Sequence, residues 1–171
     1  MSNLKHFYKN KRVLVTGHTG FKGTWLTACL LKFNSKIMGY SQQDDRLKSY
    51  KIMCNYKKVN NVYADILNYK KLKQNIHNFK PQIIFHLAAQ SLVSESYKSP
   101  LDTIATNTLG TSNILNISRQ LKCLESLIII TSDKCYLNRE FLRGYKETDT
   151  LGGEDLYSAS KASAEIIFKA Y

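Results

Sequence analysis

The chain has 171 residues, 43% hydrophobic and 22% charged, the make-up of an ordinary globular protein with one sizeable core. No apolar run reaches the roughly 20 residues that a membrane helix needs, and the polar, basic start from Met1 to Arg12 has no apolar signal core, so a cytoplasmic location without a membrane partner is expected. The net charge of +12 comes from lysines scattered among Asn, Tyr and Ile with no recognition motif, which argues for a solvated surface and against a nucleic-acid partner.

Arg12-Val13-Leu14-Val15-Thr16-Gly17 is a short β-branched run ending in glycine, suited to a buried parallel strand. Gly17, Gly20 and Gly23 follow at intervals of three. Between a strand and a helix, such glycines allow a tight turn and close approach of a pyrophosphate to the helix N-terminus. Trp25, Leu26, Cys29, Leu30 and Phe33 then recur at helical spacing. The four cysteines, Cys29, Cys54, Cys123 and Cys135, form no C-x-x-C pair, so no metal site or redox dithiol is expected. Cys29 and Cys123 fall in apolar helical stretches and are expected to be small buried hydrophobes.

Lys36–Ser41 forms a second strand, with Tyr40 and Ser41 where a ribose-binding acid is often found. Asp44, Asp45 and Arg46 come slightly later, so this site does not separate NAD from NADP. Val59 to Tyr63 is a third strand. Asp65 after it could accept from an adenine amine or cap a helix starting at Ile66. Pro81 ends the next helix and opens a strand over Gln82–Ala89, in which His86 reads as a hydrogen-bonded core residue. Leu87-Ala88-Ala89 at its end would let a cofactor lie against the backbone, or is a plain transition from sheet to loop.

A long helix is expected after Pro100, marked by Leu101, Ile104, Ala105, Leu109, Leu115 and Leu121. Leu127–Ser132 is a fifth strand, with Asp133 and Lys134 at its carboxyl end, where open α/β sheets bind ligands. A last helix starts near Tyr157, and Tyr157 and Lys161 at i, i+4 share one face. An ammonium beside a phenol favours its ionised form, making a base for an alcohol proton. The alternative for this pair is an exposed aromatic and cation on an ordinary helix, and for Asp133–Lys134 a surface ion pair. Alternating strands and helices give an α/β, Rossmann-type, doubly wound parallel sheet. With no repeat or linker, residues 1–171 read as one dinucleotide-binding domain.

Thr16-Gly17-x-x-Gly20-x-x-Gly23, Ala64-Asp65-Ile66, Leu87-Ala88-Ala89, Asn107 and Tyr157-x-x-x-Lys161 together resemble the extended short-chain dehydrogenase/reductase family over almost the whole chain. Within it, Gly17-His18-Thr19-Gly20-Phe21-Lys22-Gly23, Thr131-Ser132-Asp133-Lys134-Cys135-Tyr136 and Leu151-Gly152-Gly153 look like the CDP-glucose 4,6-dehydratases. Related dTDP- and GDP-sugar dehydratases typically carry glutamate where this chain has Lys134.

The resemblance implies NAD held by Gly17, Thr19, Gly20, Phe21, Gly23, Asp65, Ile66, Leu87, Ala88, Ala89, Asn107, Tyr157 and Lys161. It also implies a nucleotide-sugar substrate and a redox-neutral dehydration. Tyr157 would take the O4 proton, Ser132 would hydrogen-bond near O4, Lys134 would assist removal of the C5 proton and Asp133 would protonate the leaving hydroxyl. Asn107 would order water around Lys161, and a homodimer would form through helices around Leu101–Leu121 and Tyr157–Tyr171.

Glu154, Leu156 and Ser94-Glu95 depart from the subgroup pattern. Family members are roughly twice as long, so the domain is expected to be incomplete at its C-terminal end. The substrate-binding C-terminal region is then absent, and the 171 residues alone are expected to have little dehydratase activity. A non-catalytic nucleotide-binding fragment and a sugar-nucleotide epimerase are the alternatives. Asp133-Lys134 argues against the epimerase, because epimerisation at C4 needs no C6 elimination.

Overall fold

The computed structural model describes residues 2–43 and 47–171, so Asp44, Asp45 and Arg46 lie outside the described residues. The chain divides into two compact units, one running to Ala88 and including Asn116–Ile129, the other made of Ala89–Leu115 and Ile130–Tyr171.

The first unit holds a five-stranded, all-parallel sheet. Its strands are β1 (Arg12–Thr16), β2 (Lys36–Ser41), β3 (Val59–Tyr63), β4 (Ile83–His86) and β5 (Ser126–Ile129), in the order β3-β2-β1-β4-β5. This is the expected doubly wound sheet. One face buries Val13, Val15, Leu30, Ile37, Val59 and Ile83 as a single cluster. Leu14, Met38 and Ile84 alternate with them and are also buried, so both faces of the central strands are covered. That is why these strands read as continuous apolar runs.

Helices α1 (Ser2–Tyr8), α2 (Phe21–Lys32), α3 (Leu47–Met53) and α4 (Tyr69–Phe79) belong to this unit. The basic N-terminal arm is therefore partly helical. The buried positions of α2 are Gly23, Thr24, Thr27 and Leu30, while Phe21, Trp25 and Cys29 are exposed. The expectation for Cys29 is thus reversed, because the helix buries the face that carries Gly23, Thr27 and Leu30. Cys123 is half-buried, and the buried thiols are Cys54 and Cys135.

Three further expectations are corrected. The helix after Asp65 starts at Tyr69, not Ile66, with Asn68 Oδ1 accepting from Lys71 N at 3.1 Å as the cap. Asp65 Oδ1 instead accepts from Leu67 N at 2.8 Å, closing a turn before the helix. The fourth strand ends at His86, three residues early, and the fifth at Ile129.

The second unit contains α5 (Val93–Lys98), α6 (Pro100–Ile104), a π-helical turn (Ala105–Leu109), a 3-10 turn (Asp133–Cys135) and α8 (Leu156–Ala170), and α7 (Gly110–Ser118) begins within it. The single long helix expected after Pro100 is interrupted by the π turn. There the Thr111 hydroxyl donates to Asn107 O at 2.7 Å, a side-chain bond competing with the regular ladder.

The early end of β4 has a local cause. The Thr16 hydroxyl, fully buried, accepts from Leu87 N and Ala88 N at 3.1 Å each and lies 2.7 Å from His86 Nδ1. A hydroxyl has two lone pairs and one proton. With both lone pairs taken, its proton goes to Nδ1, which places the His86 proton on Nε2. Leu87 N also reaches Thr16 O at 3.2 Å. Thr16→Val would keep the shape and remove the hydroxyl that Ala88 N and His86 Nδ1 share, at a cost of roughly 2 kcal/mol or more by denaturant unfolding. Thr16→Ser should retain most of the stability. A loss below about 0.5 kcal/mol for valine would contradict this account.

Candidate functional site

In the first unit the glycine loop closes over the carboxyl end of β1. Gly17 has φ of 69°, a left-handed conformation that favours glycine. A Cβ there would lie 2.8 Å from Ala88 N and 2.9 Å from the Leu87 carbonyl carbon. The loop and the end of β4 are therefore in backbone contact, which brings together Gly17, Leu87 and Ala88 of the expected cofactor residues. Gly17 O accepts from Gly20 N at 3.0 Å. Thr19 Oγ1 lies 3.0 Å from Ser41 Oγ, joining the loop to the end of β2.

Gly20 caps α2 without a side-chain bond, and the first turn of α2 carries no acidic residue. The free N–H groups of a first turn that carries neither a side-chain cap nor an acidic residue suit an anion. These residues fit the pyrophosphate of a dinucleotide. Beyond β3, Asp65 Oδ2 accepts from Gln42 Nε2 at 2.8 Å, and its backbone carbonyl accepts from the Tyr40 hydroxyl at 3.1 Å. Burial, then the Asp65 charge, pushes the Tyr40 phenol up to about 12, so it remains a donor. Ile66 is buried beside them.

His18, a loop residue whose place the sequence pattern does not reveal, is fully buried. Its ring lies over Gly39 of β2, where a Cβ would be 2.3 Å from Cδ2. It meets Tyr50 edge-on with ring centroids 5.0 Å apart and lies 6.1 Å from Tyr63. Asn61 Nδ2 donates to the Tyr56 and Val59 carbonyls, which orients Oδ1 toward His18 Nε2 at 3.1 Å and the Tyr50 hydroxyl at 2.8 Å. Nε2 must therefore carry the proton. His18 locks the loop onto the sheet. A glycine in an otherwise apolar strand was the available signal, since it marks close approach of another group.

In the second unit, α8 carries Tyr157 and Lys161, which are 8% and 6% exposed. The alternative of an exposed pair on an ordinary helix is thus overturned. Asp155 caps this helix, Oδ1 accepting from Ser158 N at 2.9 Å and Oδ2 from Ser158 Oγ at 2.6 Å. Burial works to raise its carboxyl, but these bonds, the Tyr157 amide and the Lys134 charge more than offset that, and it lies below its usual range. Lys161 Nζ donates to Ile130 O at 3.3 Å.

Ser160 Oγ donates to Tyr157 O at 2.7 Å and accepts from Asn107 Nδ2 at 2.9 Å. The Asn107 amide also pairs with Gln90, accepting from its N–H at 2.9 Å and donating to its carbonyl at 3.0 Å. Both amide hydrogens of Asn107 are thereby committed, leaving one lone pair of Oδ1 for water. Ala89 adjoins Gln90 and is half-buried. Ser132 accepts from Lys134 N at 3.2 Å and donates to Asp133 Oδ1 at 3.0 Å, while Asp133 and Lys134 are exposed. The unit thus joins a buried phenol and ammonium to an exposed acid and amine. Among the described residues no cluster of His, Cys, Asp or Glu could hold a metal ion, and no helix is long and apolar enough to cross a membrane.

A family model described as GDP-mannose 4,6 dehydratase matches residues 14–171. The chain is 42% identical over 168 residues to a CDP-glucose 4,6-dehydratase of Salmonella typhimurium, covering 98% of this chain and 47% of that protein. It spans about half the length of the curated relatives it matches. An epimerase of Methanothermobacter thermautotrophicus has the same fold, with a TM-score of 0.88 at 23% identity over 98% of this chain and 49% of that one. A UDP-glucose 4-epimerase of Thermus thermophilus solved in complex with NAD superposes at 0.80 and 25% identity, over 94% of this chain and 50% of its own.

Burial holds the His18 imidazole at about 4, only partly offset by Asn61 and the Tyr40 carbonyl. Its folded value lies below the unfolded 6.5, so stability is complete above 6.5 and falls as the pH drops toward 4. At roughly 1.4 kcal/mol per pH unit the loss reaches about 3 kcal/mol. The His18 ring resonance should titrate near 4 by NMR; a midpoint near 6.5 would contradict the packing described.

Proposed function

The chain belongs to the GDP-mannose 4,6 dehydratase family, and from that premise we propose that it carries the cofactor-binding and chemical part of an NAD-dependent nucleotide-sugar 4,6-dehydratase acting on CDP-glucose. The observation that carries the reading is the second unit. A buried Tyr157–Lys161 pair shares it with the Ser132–Lys134 turn. Oxidation at C4 needs a base such as Tyr157, and an elimination at C6 also needs an acid, which Asp133 supplies. The similarity to the Salmonella protein supports CDP-glucose as the substrate, as does Lys134 in place of the glutamate typical of dTDP- and GDP-sugar dehydratases.

In this reading the glycine loop, Asp65, Ile66 and the Leu87–Ala89 segment hold NAD, which when bound supplies hydride acceptance at C4 and return at C6. The NAD complex of the Thermus epimerase supports that choice of cofactor. Tyr157 takes the O4 proton, with the Lys161 ammonium favouring its ionised form. Ser132 hydrogen-bonds near O4. The ketone acidifies C5–H, Lys134 assists its removal, and Asp133 protonates the departing C6 hydroxyl. Water is lost, and oxidation at one carbon balances reduction at the other. Exposed Leu101, Leu109, Ile166 and Phe168 in the second unit support pairing with a second copy, and we place the protein in the cytoplasm.

The test is conversion of CDP-glucose by the intact natural protein under saturating NAD, with dTDP-glucose and GDP-mannose in parallel. A 4-keto-6-deoxy product from CDP-glucose is expected. Asp133→Asn should slow it by about 10²–10⁴-fold while NAD affinity is unchanged. Preferred turnover of GDP-mannose, an epimerised product, or full activity in the Asn variant would overturn the reading.

A further inference from the structure

Glu165 has no part in the chemistry assigned to Ser132, Asp133, Lys134, Tyr157 and Lys161. It lies one helical turn beyond Lys161 on α8, toward the same face as Tyr157. Its half-buried carboxylate receives a bond from far along the chain, Thr131 Oγ1 donating to Oε1 at 2.6 Å. One turn earlier, Lys161 Nζ donates to Ile130 O. Two consecutive residues of the segment that leads into the Ser132–Lys134 turn are therefore held by two residues one turn apart on the helix that bears the base.

The carboxylate also lies near the other end of that turn. Burial raises the thiol of Cys135, and the Glu165 charge is the next cause. Cys135 N donates to Ser132 O at 3.1 Å, so the turn is closed from within as well. A charged acceptor makes the Thr131 bond stronger than a neutral pair would be, and α8 packs directly on the turn.

We propose that Glu165 is a positioning residue, fixing the Ser132–Lys134 turn against the helix that carries Tyr157 and Lys161. What the turn does chemically rests on the dehydratase reading; the brace itself does not. Glu165→Ala and Thr131→Val should each raise amide exchange at residues 131–136 by roughly 10-fold or more, while β1 and β2 keep their protection. The double variant should be no looser than either single one, as expected for two ends of one bond. Glu165→Gln, which keeps an acceptor, should restore exchange to within about 3-fold of the parent.

In the intact protein, Glu165→Ala should lower kcat by about 10-fold or more with KM nearly unchanged, and Glu165→Gln should recover most of it. Unaltered exchange at 131–136, additive effects in the double variant, or an unchanged kcat despite a loosened turn would overturn the proposal. Failure of the parent protein to turn over any sugar nucleotide would instead count against the dehydratase reading, and the exchange comparison would still decide the brace.

Discussion

The buried hydroxyl of Thr16 fixes the point at which the strand order turns back on itself. β2 lies on one side of β1 and β4 on the other, so the crevice at their carboxyl ends opens where Thr16 sits. By holding the Leu87 and Ala88 amides and the His86 ring, Thr16 draws the β4 strand end toward Gly17. The left-handed conformation of Gly17 and the absence of a Cβ then become requirements. His18 extends the constraint to β2 and β3 through Gly39 and Asn61. The loop offered to an anion is thus held from the sheet below it and from both neighbouring strands.

The second unit rests on a different device, a helix whose start and flank are both tied by polar side chains. Asp155 caps it, Ser160 links it to Asn107, and Lys161 and Glu165 hold Ile130 and Thr131. Each bond constrains backbone or side chain within two turns of Tyr157. Preorganisation of this sort would matter for the base role proposed for Tyr157, because displacing a reacting group by about 1 Å can cost on the order of 10²-fold in rate.

The strands and their parallel order were legible because burial on both faces gives unbroken β-branched runs, as in Val13–Val15 and Ile83–Ile84. The buried character of His86 was also legible, from its place in such a run. Misread features were those decided by distant partners. The end of β4 depends on a hydroxyl 71 residues earlier, and Leu87-Ala88-Ala89 continues the apolar pattern past it. Asp65 and Asn68 are both capping residues three apart, and only the folded backbone shows which one takes the helix. On α2 the apolar residues are split, Leu30 packing into the core while Phe21 and Trp25 are exposed, so periodicity located the helix and gave the wrong burial for Cys29. The roles proposed for Asp133 and Lys134 rest on a resemblance, because an exposed acid and amine in a loop carry no chemical signature of their own.

The central claim is that the glycine loop and strand ends of the first unit form a dinucleotide site. Thermal or denaturant unfolding of the purified chain, with and without NAD, tests it most directly. At about a hundred times its dissociation constant NAD should add roughly 2.7 kcal/mol to the folded state, seen as a single cooperative transition moved upward. A transition that stays in place as NAD is raised into the millimolar range would contradict the account.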